Sequence, residues 1–212
     1  MRSDPENEID LAAKISSRIC HDLVSPVGAI VNGVDLIREI GTGGLGEEFG
    51  MISQSAERAS TLLQFYRLAF GAVGPDAQEV SRDMLLNRAD ALISSPRIIL
   101  EWSNEVGPYF TRAEARLFCL LLLCSRAVTG TTGLIRIVFD ETASFPLTIR
   151  IEGGGMSDSA DLLETLRPGA DTSRLTPRNV EFALAQSSAT EMGVQIELEY
   201  APALMILTAV RH

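Results

Sequence analysis

His21 is one of only two histidines in the 212-residue chain, and the other, His212, is its last residue. It stands in the stretch RICHDLVSPVGAI, residues 18–30, beside Asp22 and five residues before Pro26. Most histidine chemistry recruits a partner, either more soft ligands for a metal or a serine for a triad. Cys20 is adjacent, but no further soft ligands complete a zinc site. A single solvated imidazole can still act as a nucleophile, because the neutral ring presents an unprotonated nitrogen near neutral pH. It can carry a phosphoryl group if another protein supplies the acidic groups and the metal.

Three other stretches invite a chemical reading. GTGGLG, residues 41–46, matches the glycine spacing of a dinucleotide loop. Such a loop must follow a strand and open a helix, whereas this one follows a long helical pattern and reads as a helix-to-helix turn. EGGGM, residues 152–156, follows a strand but lacks the lysine and hydroxyl of a P-loop, and reads as a plain loop. Arg167, Arg174 and Arg178 cluster in a loop-rich region. Two readings stand for them, a solvated surface or a surface that meets an acidic partner.

The elements that must position His21 follow from periodicity. Residues 7–40 read as one long helix. At about 100° per residue, Ala12, Ile19, Leu23, Val27, Ile30, Val34 and Ile37 form one stripe, with Ile15 on its edge. Lys14, Ser17, Arg18, His21, Ser25, Asn32, Asp35 and Glu39 lie opposite, and His21 sits about 160° from the stripe's centre. A buried, hydrogen-bonded core histidine would sit on the stripe. An incidental surface histidine remains open on position alone. Pro26 inside the helix predicts a bend. A second helix spans 47–70, with Ile52, Ala56, Ala59, Leu63, Tyr66 and Phe70 recurring at helical spacing. The two form an antiparallel hairpin with one apolar seam, and pairing two copies makes a four-helix bundle. The prediction is a homodimer.

Residues 71–77 read as a linker. Beyond it the pattern predicts helices at 79–94, 111–129, 157–167 and 177–192. Strands are predicted at 98–102, 134–139, 146–152, 194–200 and 203–210, the last two turned at Ala201 and Pro202. Helices on one face of a mostly antiparallel sheet make the second domain α+β. The predicted domains are 1–74 and 75–212.

Composition narrows the function classes. The net charge is −10, which argues against nucleic acid and anionic membrane as partners. Only one of the 18 basic residues, Lys14, is a lysine. The three cysteines, Cys20, Cys119 and Cys124, are odd in number and form no C-x-x-C pair. They read as buried thiols in a reducing compartment. The acidic N-terminal stretch is not a signal peptide, and FCLLLLC, residues 118–124, is too short to span a bilayer. The expectation is a soluble, cytoplasmic protein.

His21-Asp22-Leu23 with Pro26 resembles the H-box of histidine kinases, where a histidine and an acidic residue precede a proline on the first helix of a dimerisation hairpin. The second domain resembles the ATP-binding domain of those kinases in element order but departs from its nucleotide boxes. LLLLCSRAV, residues 120–128, has no asparagine for Mg²⁺. Ile151-Glu152-Gly153-Gly154-Gly155 has no aspartate in register with its glycines. Leu175-Thr176-Pro177-Arg178-Asn179-Val180 stands where the kinases have a glycine lid. The combination is similar to the ChpT-type histidine phosphotransferases of alphaproteobacteria, and LTPRNVEFALA, residues 175–185, resembles their C-terminal signature.

The resemblance implies a dimeric, kinase-shaped fold: a helical hairpin in a four-helix bundle, then a vestigial ATPase-like α/β sandwich that binds no ATP. It implies that His21 is phosphorylated, with Asp22 as its acidic neighbour. Arg18, Ser25, Gly28, Ala29 and Asn32 are expected to dock the partner. Those partners are receiver domains, one on a hybrid histidine kinase and others on response regulators. No cofactor is expected on this chain, and Mg²⁺ is expected on the receiver. Two alternatives remain: an active histidine kinase with a divergent ATP site, and a non-catalytic adaptor dimer.

Overall fold

The structure, a computed structural model, describes residues 5–40, 45–72, 79–93, 95, 97–103, 109–129, 132–139, 147–153, 163, 165–170, 175–201 and 203–211. Helix α1 spans Pro5–Ile40 without interruption at Pro26, and α2 spans Leu45–Ala69. They pack along each other as a hairpin. Gly33 permits the close approach, since a Cβ there would lie 2.6 Å from Ile52 Cγ1. Four of the six residues in the glycine-rich turn, 41–44, lie outside the described residues, as does the predicted boundary at 74 and 75.

The second domain opens with β1 (Val80–Ser81), then α3 (Arg82–Ile93), β2 (Ile98–Ser103) and β3 (Tyr109–Phe110). The predicted helix from 79 therefore begins three residues later. Val80 and Ser81 pair antiparallel with β3, a two-residue ladder too short for a period-2 signal. Helix α4 (Arg112–Val128) starts on a full capping box, with Glu114 N–H bonded to Thr111 Oγ1 and Thr111 N–H to Glu114 Oε2. Strands β4 (Gly133–Phe139) and β5 (Leu147–Glu152), helix α5 (Val180–Glu191) and strands β6 (Gln195–Ala201) and β7 (Leu204–Val210) complete the domain. Most of the helix expected at 157–167 lies outside the described residues, and 165–169 are turns. Residues 177–179, expected to be helical, are also a turn.

The five-stranded sheet runs β2-β4-β5-β7-β6, with β2 parallel to β4 and every other pair antiparallel. Alternate residues of β4, β5 and β7 are buried, including Ile135, Ile137, Ile149, Ile151 and Leu207. They pack under α4, whose Leu117–Ser125 run is buried throughout. The fold is α+β, as expected. No helix among the described residues is long and apolar enough to cross a membrane.

Three expectations need correction. The hairpin has more than one seam: Leu62, Phe65, Leu68 and Ala69 of α2 are buried, because α3 and α4 pack on its C-terminal half, while Leu63 is exposed. Arg112 fastens this junction by donating to the carbonyl oxygens of Arg67 and Leu68, satisfying acceptors at the end of α2. On α1 the predicted stripe is only partly covered, with Ala12 and Val27 exposed, because α2 and the second domain lie against one flank. Cys119 and Cys124 are buried, but Cys20 is exposed on the flank of α1 that neither covers.

Candidate functional site

The His21 side chain is 86% exposed, and its Nδ1 lies 3.0 Å from Asp22 Oδ1. Asp22 is the inward half of this pair. Its other oxygen, Oδ2, accepts a hydrogen bond from the Tyr66 hydroxyl on α2 and lies 3.1 Å from Arg18 Nε. Arg18 is one turn back on α1, yet its guanidinium points away from solvent. Its Nη2 lies 3.6 Å from Oε1 of Glu181, a fully buried residue in the first turn of α5. A continuous set of charged and polar groups thus runs from His21 through Asp22 and Arg18 into the second domain.

The local sequence dictates each position. Arg18 and Asp22 are four apart and stack on one helical face. Tyr66 is 3% exposed, and a buried phenol needs a partner for its hydroxyl, which Asp22 provides. Asn179 folds the turn before α5. Its Oδ1 accepts from the Thr176 backbone N–H at 2.5 Å and lies 3.0 Å from Thr176 Oγ1. That turn starts the helix at Val180 and places Glu181 where the helix dipole favours negative charge.

The electrostatics differ along the set. Burial pushes the Asp22 carboxyl up, but hydrogen bonds from Tyr66 and His21 and the Arg18 charge outweigh it and hold Asp22 below its ordinary value. Burial and the neighbouring Asp22 drive the Tyr66 phenol well up, so it stays a donor. Burial pushes Glu181 up to about 7, against the attraction of Arg18. Arg18 is likewise opposed by burial, but Glu181 and Asp22 together raise its pKa.

His21 stands at the mouth of a cleft of about 900 Å³ between the hairpin and the second domain. Ser17, Arg18, Asp22, Ser25 and Pro26 form the α1 wall; Arg58, Leu62 and Tyr66 come from α2. Arg126 at the end of α4 and Thr176, Pro177 and Arg178 before α5 close the far side. Among the described residues, no group of three or more His, Cys, Asp or Glu side chains could hold a metal ion.

Of the residues expected at the site, Arg18, Asp22 and Ser25 share this cleft with His21. Arg18 is engaged inward rather than offered to a partner. Gly28 and Ala29 are half-buried further along α1, with open space where a Gly28 Cβ would be, and Asn32 is exposed. Arg178 lines the cleft, Arg167 lines a separate cavity of about 450 Å³ beside α5, and Arg174 lies outside the described residues. Of residues 152–156, Glu152 and Gly153 are described. Gly153 has a packing reason, since a Cβ would meet Thr132 O at 2.7 Å and Gly133 Cα at 2.9 Å. Sequence reasoning missed Tyr66, assigned only to a seam, and Glu181. The signal for Glu181 was a carboxylate inside the apolar run VEFALA.

Comparison with known proteins adds a second line of support. The model of the histidine phosphotransferase C-terminal domain family matches residues 82–203. The protein phosphotransferase ChpT of Brucella abortus (strain 2308) is 30% identical over 200 residues, covering 90% of each chain. A bacterial phosphotransferase solved at 1.7 Å superposes with a TM-score of 0.70 at 25% identity, over 99% of this chain and 98% of that one.

Proposed function

The chain is a phosphotransferase of the histidine phosphotransferase family to which ChpT belongs, and from that premise we propose that His21 carries the phosphoryl group. The observation that carries the proposal is the orientation of one ring. Asp22 accepts at Nδ1, which favours the tautomer protonated there and leaves the Nε2 lone pair to solvent. Hydrogen positions follow here from the partner's chemistry, since a carboxylate can only accept.

In the proposed step Nε2 attacks the phosphorus of an aspartyl phosphate on a donor receiver domain. The P–N bond forms as the P–O bond breaks, and the donor recovers its carboxylate. Asp22 steadies the positive charge that develops on the ring. The reverse step passes the phosphoryl group to the aspartate of an acceptor receiver. Magnesium held by the receiver would offset charge on the moving group. This chain contributes an exposed, oriented imidazole and a docking face along Ser25, Gly28, Ala29 and Asn32. The donor is a hybrid histidine kinase and the acceptors are response regulators, a relay in the cytoplasm that uses no ATP on this chain.

The relay acts as a homodimer in this reading. Val24, Val27 and Val31 are 70%, 47% and 53% exposed and recur along one flank of α1, and Phe49 and Met51 of α2 are also exposed. A second hairpin laid on this apolar surface would complete a four-helix bundle. The test is transfer from a purified, phosphorylated receiver. Wild-type protein should take up acid-labile, base-stable label, and His21→Ala should take up none. Label on His21→Ala, or label gained from ATP with no donor present, would refute the reading.

A further inference from the structure

We propose that Glu181, a residue of the second domain, is a positioning residue for His21. The inference rests on His21 being the phosphoryl carrier, and it assigns α5 a part in presenting that ring. Glu181 is fully buried; neither carboxylate oxygen reaches a side-chain hydrogen-bond donor, and besides Arg18 only its own backbone N–H favours the charged form. Its surroundings explain neither fact. Val180, Phe182, Leu184 and Ala185 around it are buried apolar residues, and an apolar side chain would suit this helix better. The groups facing it are Arg18 and Asp22 from α1, Cys124 from α4 and, across Arg18, Tyr66 from α2. Arg18 alone among them can compensate its charge. Burial raises the carboxyl to about 7, so above that pH its charge is held at a cost and faces Arg18.

That charge draws the Arg18 guanidinium inward. Arg18 could otherwise extend into the open cleft. Drawn inward, its Nε sits 3.1 Å from Asp22 Oδ2 as an ion pair without hydrogen-bond geometry, and Tyr66 donates a hydrogen bond to the same oxygen. With Oδ2 fixed from two sides, Oδ1 is aimed at His21 Nδ1. Each link orients the next, and only the last reaches the solvent. Glu181 itself has no atom at the surface, so a receiver cannot touch it. Its influence should fall on the rate within the docked complex, not on docking.

The experiment uses the full chain with Glu181→Gln, which keeps shape and removes charge. Transfer is followed against receiver concentration, and the His21 ring by ¹⁵N NMR. The saturating rate should fall about tenfold, with the half-saturating receiver concentration unchanged within about twofold. The ring should shift from the Nδ1-protonated tautomer toward the Nε2-protonated one. Placed in an Arg18→Gln background, Glu181→Gln should add no further loss, because its effect passes through Arg18. The unfolding midpoint at pH 8 should stay level or rise. An unchanged saturating rate, an unchanged tautomer, an additive loss in the double variant, or a lowered midpoint that accounts for the loss would each overturn the proposal. The NMR arm reads the unphosphorylated protein, so it stands apart from the His21→Ala test of the carrier itself.

Discussion

Helices α4 and α1 handle polarity in opposite ways. In α4, eleven of seventeen residues are buried, and the polar atoms among them are paired within the helix: Ser125 Oγ donates to Leu121 O, and Thr129 Oγ1 beyond its end donates to Ser125 O. In α1, Val24, Val27 and Val31 face solvent while Arg18 and Asp22 turn inward. In α4 the apolar run fills the core and the charged side chains stay at its margin, with only the Arg116 Nε buried without a partner; in α1 valines are exposed and a charged pair is drawn inward. That charged pair, Arg18 and Asp22, lies within one turn of His21, and holding those charges inward costs stability. Departures from local consistency of this kind mark functional sites.

The comparison predicts that the two helices fail differently. Phe118→Ala in α4 removes a fully buried ring packed among Trp102, Phe110 and Phe139 and should cost about 3–5 kcal/mol of unfolding free energy. His21→Ala, at an exposed position, should stay within about 0.5 kcal/mol of wild type while all transfer is lost. Urea unfolding of both variants checks the pair. A strongly destabilised His21→Ala would erase the distinction.

The exposed valines offer the next test. Wild-type protein should scatter light as about twice 22.9 kDa at micromolar concentration. Val27→Glu puts charge into the apolar flank and should weaken association on the order of a hundredfold, giving a single-chain mass at the same concentration. Helix content should persist, because Val27 is half-exposed and is not among the described residues that form or pack on the core cluster. An unshifted dimer would place the interface elsewhere.

What could be read from sequence divides along the same line. The period of α1, the apolar run of α4 and the alternation of β4, β5 and β7 each lie within one segment, and local pattern sufficed to find them. His21, Asp22 and Pro26 were legible because they fall within six residues of one helix. The parallel pairing of β2 with β4 was not, since alternation says nothing of strand direction. Nor were the inward turn of Arg18 or its partners. Tyr66 is 44 residues from Asp22, and Glu181 arrives from another domain. A helical wheel places Arg18 on the polar face and cannot show that a buried carboxylate waits there.

The buried carboxylate has a pH signature. The ordinary value for its carboxyl is 4.5, and burial raises Glu181 to about 7. Between those values the unfolded chain ionises while the folded chain keeps its proton. Stability from this group is therefore full below the ordinary value and is lost as pH rises through the folded one. The full loss is on the order of 3 kcal/mol, and Glu181→Gln should abolish it. Unfolding free energies at pH 5 and pH 8 for the two proteins give the difference directly. Equal pH slopes would mean that Glu181 is not buried as a costly charge.

The smallest effect belongs to the far end of the α1 face. Asn32 is eleven residues beyond His21, three turns along and roughly 16 Å away by helical rise. No reacting atom comes near it. On the docking face proposed above it would lie under a docked receiver, since an interface of about 800 Å² on each partner reaches that far. Asn32→Arg adds bulk to an exposed position and leaves the His21–Asp22–Arg18 set intact. The receiver concentration for half-maximal transfer should rise about three- to tenfold, with the saturating rate unchanged. This is the mirror of Glu181→Gln, which lowers the saturating rate and leaves docking alone. The two variants together separate the surface that recruits a receiver from the interior that presents the ring. Normal transfer by Asn32→Arg at every receiver concentration would move the docking face to the opposite flank of α1.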